Sequence, residues 1–177
     1  HALAWFRWML GGRPRALSVQ AHMQTGLIHK GRTRGEENSV VMVEFEGGAI
    51  GVAEDSWAKP GGMDDSIEEY GTGGDCYADL LQGNDALTFS EQGYGYAMEK
   101  AGSTKGWTFT IFEEMFNQGY PQELKHFIEC VREDKQSVVT GEDGRAVLEL
   151  IYAAYRSAGT GQKVRLPFHV KVAKPID

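Results

Sequence analysis

Cysteine is scarce: Cys76 and Cys130 are the two in 177 residues, far apart and without a C-x-x-C spacing. Buried, reduced thiols in a cytoplasmic protein are the simplest reading, with one disulfide as the alternative. No apolar run approaches the ~20 residues that span a bilayer, so a transmembrane helix is excluded. A charged n-region followed by an apolar stretch and a small-residue cleavage site is missing too, so no signal peptide is read. Positive charge is also short. Lys and Arg number 18 against 25 Asp and Glu, a net charge of −7, and Lys30–Arg34 is the one basic cluster. A nucleic-acid groove or an anionic membrane surface would want the opposite sign, so neither partner is expected. There is no initiator Met, and the chain opens inside a helix-like pattern at His1, as a fragment of a longer protein would.

What is present is the mixture of an ordinary globular domain, 41% hydrophobic and 24% charged, and long enough for one sizeable core. Leu3, Phe6, Met9 and Leu10 fall at helical spacing and stop at Gly11-Gly12, with Pro14 just beyond. Leu17, Val19, Ala21 and Met23 alternate with polar residues, the pattern of a half-buried strand. Gly26–Asn38 is polar and rich in glycine and charge, so it reads as a mobile loop. Val40–Glu46 and Ala49–Trp57 flank Gly47-Gly48, which supplies the positive φ that a two-residue hairpin needs. After a loop at Lys59–Asp65, strand candidates follow at Ser66–Tyr70, Asp75–Leu81, Ala86–Ser90, Tyr94–Lys100 and Trp107–Glu113, separated by glycine turns. That punctuation predicts an antiparallel meander.

The last third changes period. Leu124, Phe127, Ile128 and Val131 form a helical stripe behind Pro121, which leaves His126 on the polar, solvent side. Thr140 and Asp143 have the spacing of a capping box, and Val147, Leu150, Ile151 and Ala154 stripe a second long helix that ends at Gly159 and Gly161. Lys163–Phe168 is a returning strand. Strands in a run, then two helices and a strand, predict an α+β fold: an open, mostly antiparallel sheet with helices packed on one face. Val41, Val43 and Phe45 point to one face of their strand and Val40 and Met42 to the other. The helices cover one such face, and a second copy of the sheet is the expected partner for the other; a further segment or domain is the alternative.

Taken alone, no motif specifies a reaction. Gly71-Thr72-Gly73-Gly74 and Gly93-Tyr94-Gly95 resemble pieces of phosphate loops, but Cys76 and Met98 occupy the final glycine places and neither leads from strand to helix. Hairpin turns are the better reading. His22, His29, Asp64 and Asp65 lack fixed ligand spacing, so they read as solvated and no metal is expected. Arg7 and Arg145 are read as salt-bridge or helix-contact groups.

Read together, the segments are informative. His1–Pro14 resembles the segment that follows the start of the active-site helix in the glucose–fructose oxidoreductase / inositol dehydrogenase (Gfo/Idh/MocA) family. Val43–Gly51 and Asp55–Trp57 resemble its hairpin, and Glu69–Gly74 is similar to the glutamate–tyrosine–glycine step that follows. Gln122–Ile128, Thr140–Leu150, Ser157–Phe168 and Lys174–Asp177 resemble its C-terminal helices and closing strand. The pieces cover nearly the whole chain, in order.

The resemblance implies the substrate-side, C-terminal domain of an NAD(P)-dependent sugar or polyol dehydrogenase, residues 1–177 forming a single domain. The Rossmann domain that binds NAD or NADP would lie outside this chain. The family's catalytic groups are a Lys in an E-K-P motif and a D-x-x-x-H pair; His1 matches that His, and the Lys and Asp would precede it. Removing an alcohol proton calls for a base of near-neutral pKa within hydrogen-bond reach, which imidazole supplies. A tag remnant or an ordinary terminal His is the competing reading. Trp57 and Lys59, leaving the hairpin, suit a sugar's faces and hydroxyls, though a Trp packed at a sheet edge is as expected. Tyr120 could hydrogen-bond a hydroxyl or pack as a staple. The chain alone is predicted to be inactive, and a homodimer or tetramer is expected through the sheet face. The alternative function is a non-catalytic oligomerisation or binding module derived from that family.

Overall fold

The computed structural model describes residues 1–12, 14–29, 32, 35–59, 64–80, 87–93, 103–109 and 114–169. In chain order the elements are α1 (Ala2–Met9), β1 (Ala16–Gln24), β2 (Asn38–Phe45), β3 (Ile50–Ser56), β4 (Ser66–Gly71), β5 (Gly74–Asp79), β6 (Leu87–Ser90), β7 (Gly106–Phe109), α2 (Glu114–Asn117), α3 (Tyr120–Glu133), α4 (Gly141–Thr160) and β8 (Val164–Arg165). This is a mixed α/β fold with antiparallel strands. It divides into two compact units, one of His1–Ala58 with Val138–Asp177, the other of Lys59–Ser137.

In the first unit the strands form one antiparallel sheet, ordered β3-β2-β1-β8. Its register sets Val19 opposite Val43 and Val43 opposite Gly51, then Ala21 opposite Val41 and Val41 opposite Ala53. Because side chains alternate across a strand, these rows share one face. That face is buried, and Leu150, Ala153 and Ala154 of α4 close over it. Each large side chain buried there contributes roughly 1.5–3 kcal/mol. The alanines let α4 lie close to β1, and Ser157, also buried, accepts the Ala21 N–H through Oγ at 3.0 Å. β8 pairs only with Ser18 and Val19, so that amide lies beyond its reach. The α4 start carries the expected capping box, Thr140 with Asp143, and its end a left-handed Gly161.

α1 completes the cover. Leu3, Phe6 and Leu10 pack on the core, and Phe6 lies flat against Gly51, where an added Cβ would stand 2.6 Å from the ring. The opposite sheet face carries exposed Val40, Ile50 and Val52, as the alternation in β2 predicts.

Two expectations about the first unit need correction. The β2–β3 turn is one residue longer than a two-residue hairpin: Phe45 N–H donates to Ala49 C=O, leaving Glu46–Gly48 as the loop. Glu46 opens this loop, where its carboxylate accepts from Arg15 Nε at 2.9 Å, and Gly47 and Gly48 both take positive φ. The returning strand covers Val164–Arg165, not Lys163–Phe168; Pro167 has no N–H to extend the ladder.

In the second unit, β4 pairs with β5 and β6 with β7 as two-stranded ribbons. The expected strand at Tyr94–Lys100 lies outside the described residues. Each ribbon carries an aromatic pair, Tyr70 with Tyr77 and Phe89 with Trp107, at centroid distances of 5.8 and 5.2 Å. α3 follows a left-handed Gly119, with Pro121 in its first turn. Its apolar stripe, Leu124, Phe127, Ile128 and Val131, is exposed. His126, expected in solvent, is instead half-buried, with Nε2 3.5 Å from Cys130 Sγ and its ring against Phe127. Cys76 is exposed, against the expectation of two buried thiols: its strand belongs to a two-stranded ribbon with no covering layer among the described residues.

Candidate functional site

His1 stands exposed at the N-cap of α1, where its carbonyl accepts the Trp5 N–H at 2.9 Å. The helix is held at two places. Phe6 occupies the space left by Gly51, and the Arg7 guanidinium donates to Asp143 Oδ1 at 3.1 Å. Asp143 therefore serves two helices, closing the α4 capping box and anchoring α1. Its carboxyl is held below its ordinary range first by the Thr140 backbone N–H, then by the Thr140 hydroxyl and Arg7. Arg145 pairs within its own helix, 4.0 Å from Glu149. The position of His1 is thus a consequence of core packing and one partly buried ion pair.

Trp57 follows β3 and is 73% exposed. Its backbone N–H donates to the Glu37 carbonyl at 2.7 Å. Lys59 forms an ion pair with Asp64. Tyr120 is the first residue of α3 and is exposed, so it is not a core residue. His1 and Trp57 belong to the first unit, Lys59 and Tyr120 to the second, and within each unit the pair sits on separate elements.

A carboxylate overlooked in the sequence organises one corner of the first unit. Glu37, 2% exposed, accepts the backbone N–H groups of Leu27, Ile28 and His29. The His29 ring nitrogen Nδ1 lies 2.9 Å from the same carboxylate. Hydrogen bonding to the charged form outweighs desolvation. The His29 N–H is the largest influence; burial opposes it, and Ile28 and Leu27 add to it, holding the carboxyl at about 2 against an ordinary 4.5. Residues 27–29 are therefore not the open loop that glycine and charge suggested. Glu36 accepts the Tyr155 hydroxyl at 2.6 Å, and that phenol is pushed up to about 12, by burial first and by Glu36 second.

Across the ends of β1, β2 and β3 runs a polar ladder. Asn38 Nδ2 donates to Gln24 Oε1 at 3.2 Å, and the Ser56 hydroxyl donates to Asn38 Oδ1. Among the described residues no three His, Cys, Asp or Glu side chains converge as a metal site would need, and no helix is long and apolar enough to cross a membrane. The Gly71–Gly74 turn joins β4 to β5, as its hairpin reading requires. It opens no helix, so it does not offer the N-terminal amides that cradle a dinucleotide pyrophosphate.

Residues 1–166 match the family described as "Oxidoreductase family, C-terminal alpha/beta domain". The chain is similar to the myo-inositol 2-dehydrogenase of Thermotoga maritima, 32% identical over 137 residues that cover 77% of this chain and 38% of that protein. It is 31% identical over 130 residues to the scyllo-inositol 2-dehydrogenase (NAD(+)) of Bacillus subtilis, covering 73% of this chain and 35% of the relative. In three dimensions it is similar to GenD2 from gentamicin A biosynthesis, whose crystal structure is a complex with NAD. The TM-score is 0.84 at 35% identity, over 95% of this chain and 46% of that one. The chain thus spans less than half the length of each of these relatives.

Proposed function

This chain belongs to the Gfo/Idh/MocA oxidoreductase family, as its C-terminal α/β domain, and we propose that it is the substrate-side domain of an NAD(P)-dependent sugar or polyol dehydrogenase. The observation that carries this reading is His1, exposed at the head of a helix whose seat is fixed by Phe6 on Gly51 and Arg7 on Asp143. The inositol dehydrogenases among its relatives favour a cyclic polyol as substrate class.

An oxidised nicotinamide bound by a further domain would accept the hydride, the two electrons of the oxidation. This chain's share is the proton and the polyol. As hydride leaves the carbinol carbon, the hydroxyl proton passes to the His1 imidazole and the carbon–oxygen bond becomes a carbonyl. The family resemblance implies an Asp four residues before His1, which would orient the ring if the helix extended that far. Trp57, exposed and aromatic, covers a sugar face. In the second unit, Lys59 and Tyr120 are the candidates for hydroxyl contacts. Residues 1–177 act as one substrate domain of a cytoplasmic protein. The exposed Val40, Ile50 and Val52 form the contact of a homodimer or tetramer, an apolar face that a second copy would cover.

Two measurements test the reading. The mass of the polypeptide as its host makes it should exceed this chain by a nucleotide-binding domain of ~150 residues. That complete protein should reduce NAD(P)+ with a polyol or sugar, and the 177-residue chain alone should not. A native protein that begins near His1 would favour the non-catalytic oligomerising module instead.

A further inference from the structure

Glu37 is the one carboxylate among the described residues that is almost wholly buried, and the dehydrogenase reading gives it no task. Its side chain gathers the amides of residues 27–29 and meets the His29 ring. Its main chain is equally committed: the N–H donates to Gln24 C=O at 2.8 Å, and the carbonyl accepts the Trp57 N–H at 2.7 Å. The Tyr155 hydroxyl of α4 donates to the neighbouring Glu36 at 2.6 Å.

The β2–β3 ladder ends at the pair Asn38–Ser56; the bond from Trp57 to Glu37 is the next cross-strand peg, and the Ala58 N–H donates to Ser56 Oγ at 3.1 Å just after it. With the side chain 73% exposed, packing does little to aim it. Its placement therefore depends on the backbone, which the Glu37 carbonyl holds across the strand and the Ser56 hydroxyl holds locally. A carboxylate offers acceptors alone and satisfies three N–H groups and a ring nitrogen at once. A carboxamide of the same shape would set its own N–H donors against them, leaving buried donors unpaired or forcing the turn to shift.

We propose that Glu37 is a positioning residue for Trp57: its carboxylate locks the 27–29 turn, and the locked Glu37 peptide holds the strand exit that presents the indole to a polyol. The lock is geometric and stands on the hydrogen bonds above; its consequence for substrate rests on the reading that Trp57 meets the sugar. The pairing of His29 with Glu37 makes His29 an auxiliary of the same lock.

The test uses the complete polypeptide with Glu37→Gln. Hydrogen exchange should speed about tenfold at the amides of residues 27–29 and at Trp57, the loss expected for a charge-assisted bond, while the α4 amides keep their protection. The polyol KM should rise about tenfold with kcat within about twofold, a loss of binding shared by ground and transition states. A purely structural role would lower the melting temperature and leave KM in place. Adding Glu37→Gln to Trp57→Ala should raise KM no further. If Glu37→Gln fails to fold, His29→Ala keeps every backbone bond and removes the ring contact, and should shift both readouts the same way by about threefold.

Faster exchange at 27–29 with an unchanged Trp57 amide overturns the lock, as does an accelerated Trp57 amide with an unchanged KM. If the parent protein oxidises no polyol, the dehydrogenase reading falls separately, and the exchange at Trp57 still decides the lock.

Discussion

The first unit stacks a four-stranded sheet against α4 and α1, and Val19, Val43 and Ala153 are cut off from solvent altogether. The second unit has the same kinds of side chain, yet none of its described residues reaches full burial. Tyr70, Tyr77, Phe89 and Trp107 face solvent on two-stranded ribbons, and the α3 stripe is open. The difference lies in layers. A sheet with a helix across it encloses apolar surface, whereas a lone two-stranded ribbon has one neighbour per strand and little to bury. In this chain rigid placement therefore belongs to the first unit, which carries His1, Glu37 and Trp57.

Mutations should separate the two units by size of effect. Phe45→Ala removes a ring 2% exposed in the first core and should cost about 3–5 kcal/mol in urea unfolding, whereas Phe89→Ala on a ribbon should cost under about 1 kcal/mol. Equal losses would break the comparison. Gly51→Ala puts a methyl into the Phe6 ring and should cost about 1–3 kcal/mol, with α1 loosened in hydrogen exchange; Gly159→Ala, with open space around it, should cost nothing similar. Thr140→Ala loses the α4 capping box and about 1 kcal/mol. Val131→Ser on α3, where the side chain is 84% exposed, should stay within about 0.5 kcal/mol.

Acid gives a prediction of direction. The Glu37 carboxyl sits at about 2 when folded and 4.5 ordinarily, so the unfolded chain takes up its proton first as pH falls. Its contribution is whole above about 4.5 and disappears on the way down to about 2. Glu37→Gln should flatten part of the decline in urea midpoint between pH 5 and pH 3, without abolishing it, because Glu44, Glu46 and Asp143 are lowered as well.

The parts legible in the sequence are those where one face is buried. Alternation in β1 to β3 and the Leu150–Ala154 stripe announce the first core, and Thr140 with Asp143 announces the α4 start. The Gly47-Gly48 pair permits turns of two or three residues, and in the three-residue turn that forms Glu46 meets Arg15, 31 positions away. The α3 stripe predicts a helix correctly, but periodicity cannot say what will cover it. Within the candidate site, His1 becomes visible through family resemblance, since a terminal histidine has no pattern of its own. Glu37 was hidden because an acid beside glycine and charge is normally solvated. Its trace in the sequence is faint: it stands just before an alternating apolar strand, eight residues after a histidine.

The most direct test of the central claim is the steady-state reduction of NAD(P)+ by the complete polypeptide over a panel of inositols and sugars, with His1→Ala alongside. The account predicts turnover with a polyol or sugar, and a loss of roughly 10²–10⁴ in kcat for the variant, the usual contribution of a general base. Turnover that His1→Ala leaves within twofold, or no oxidation of any polyol or sugar by a folded, full-length protein, would contradict it.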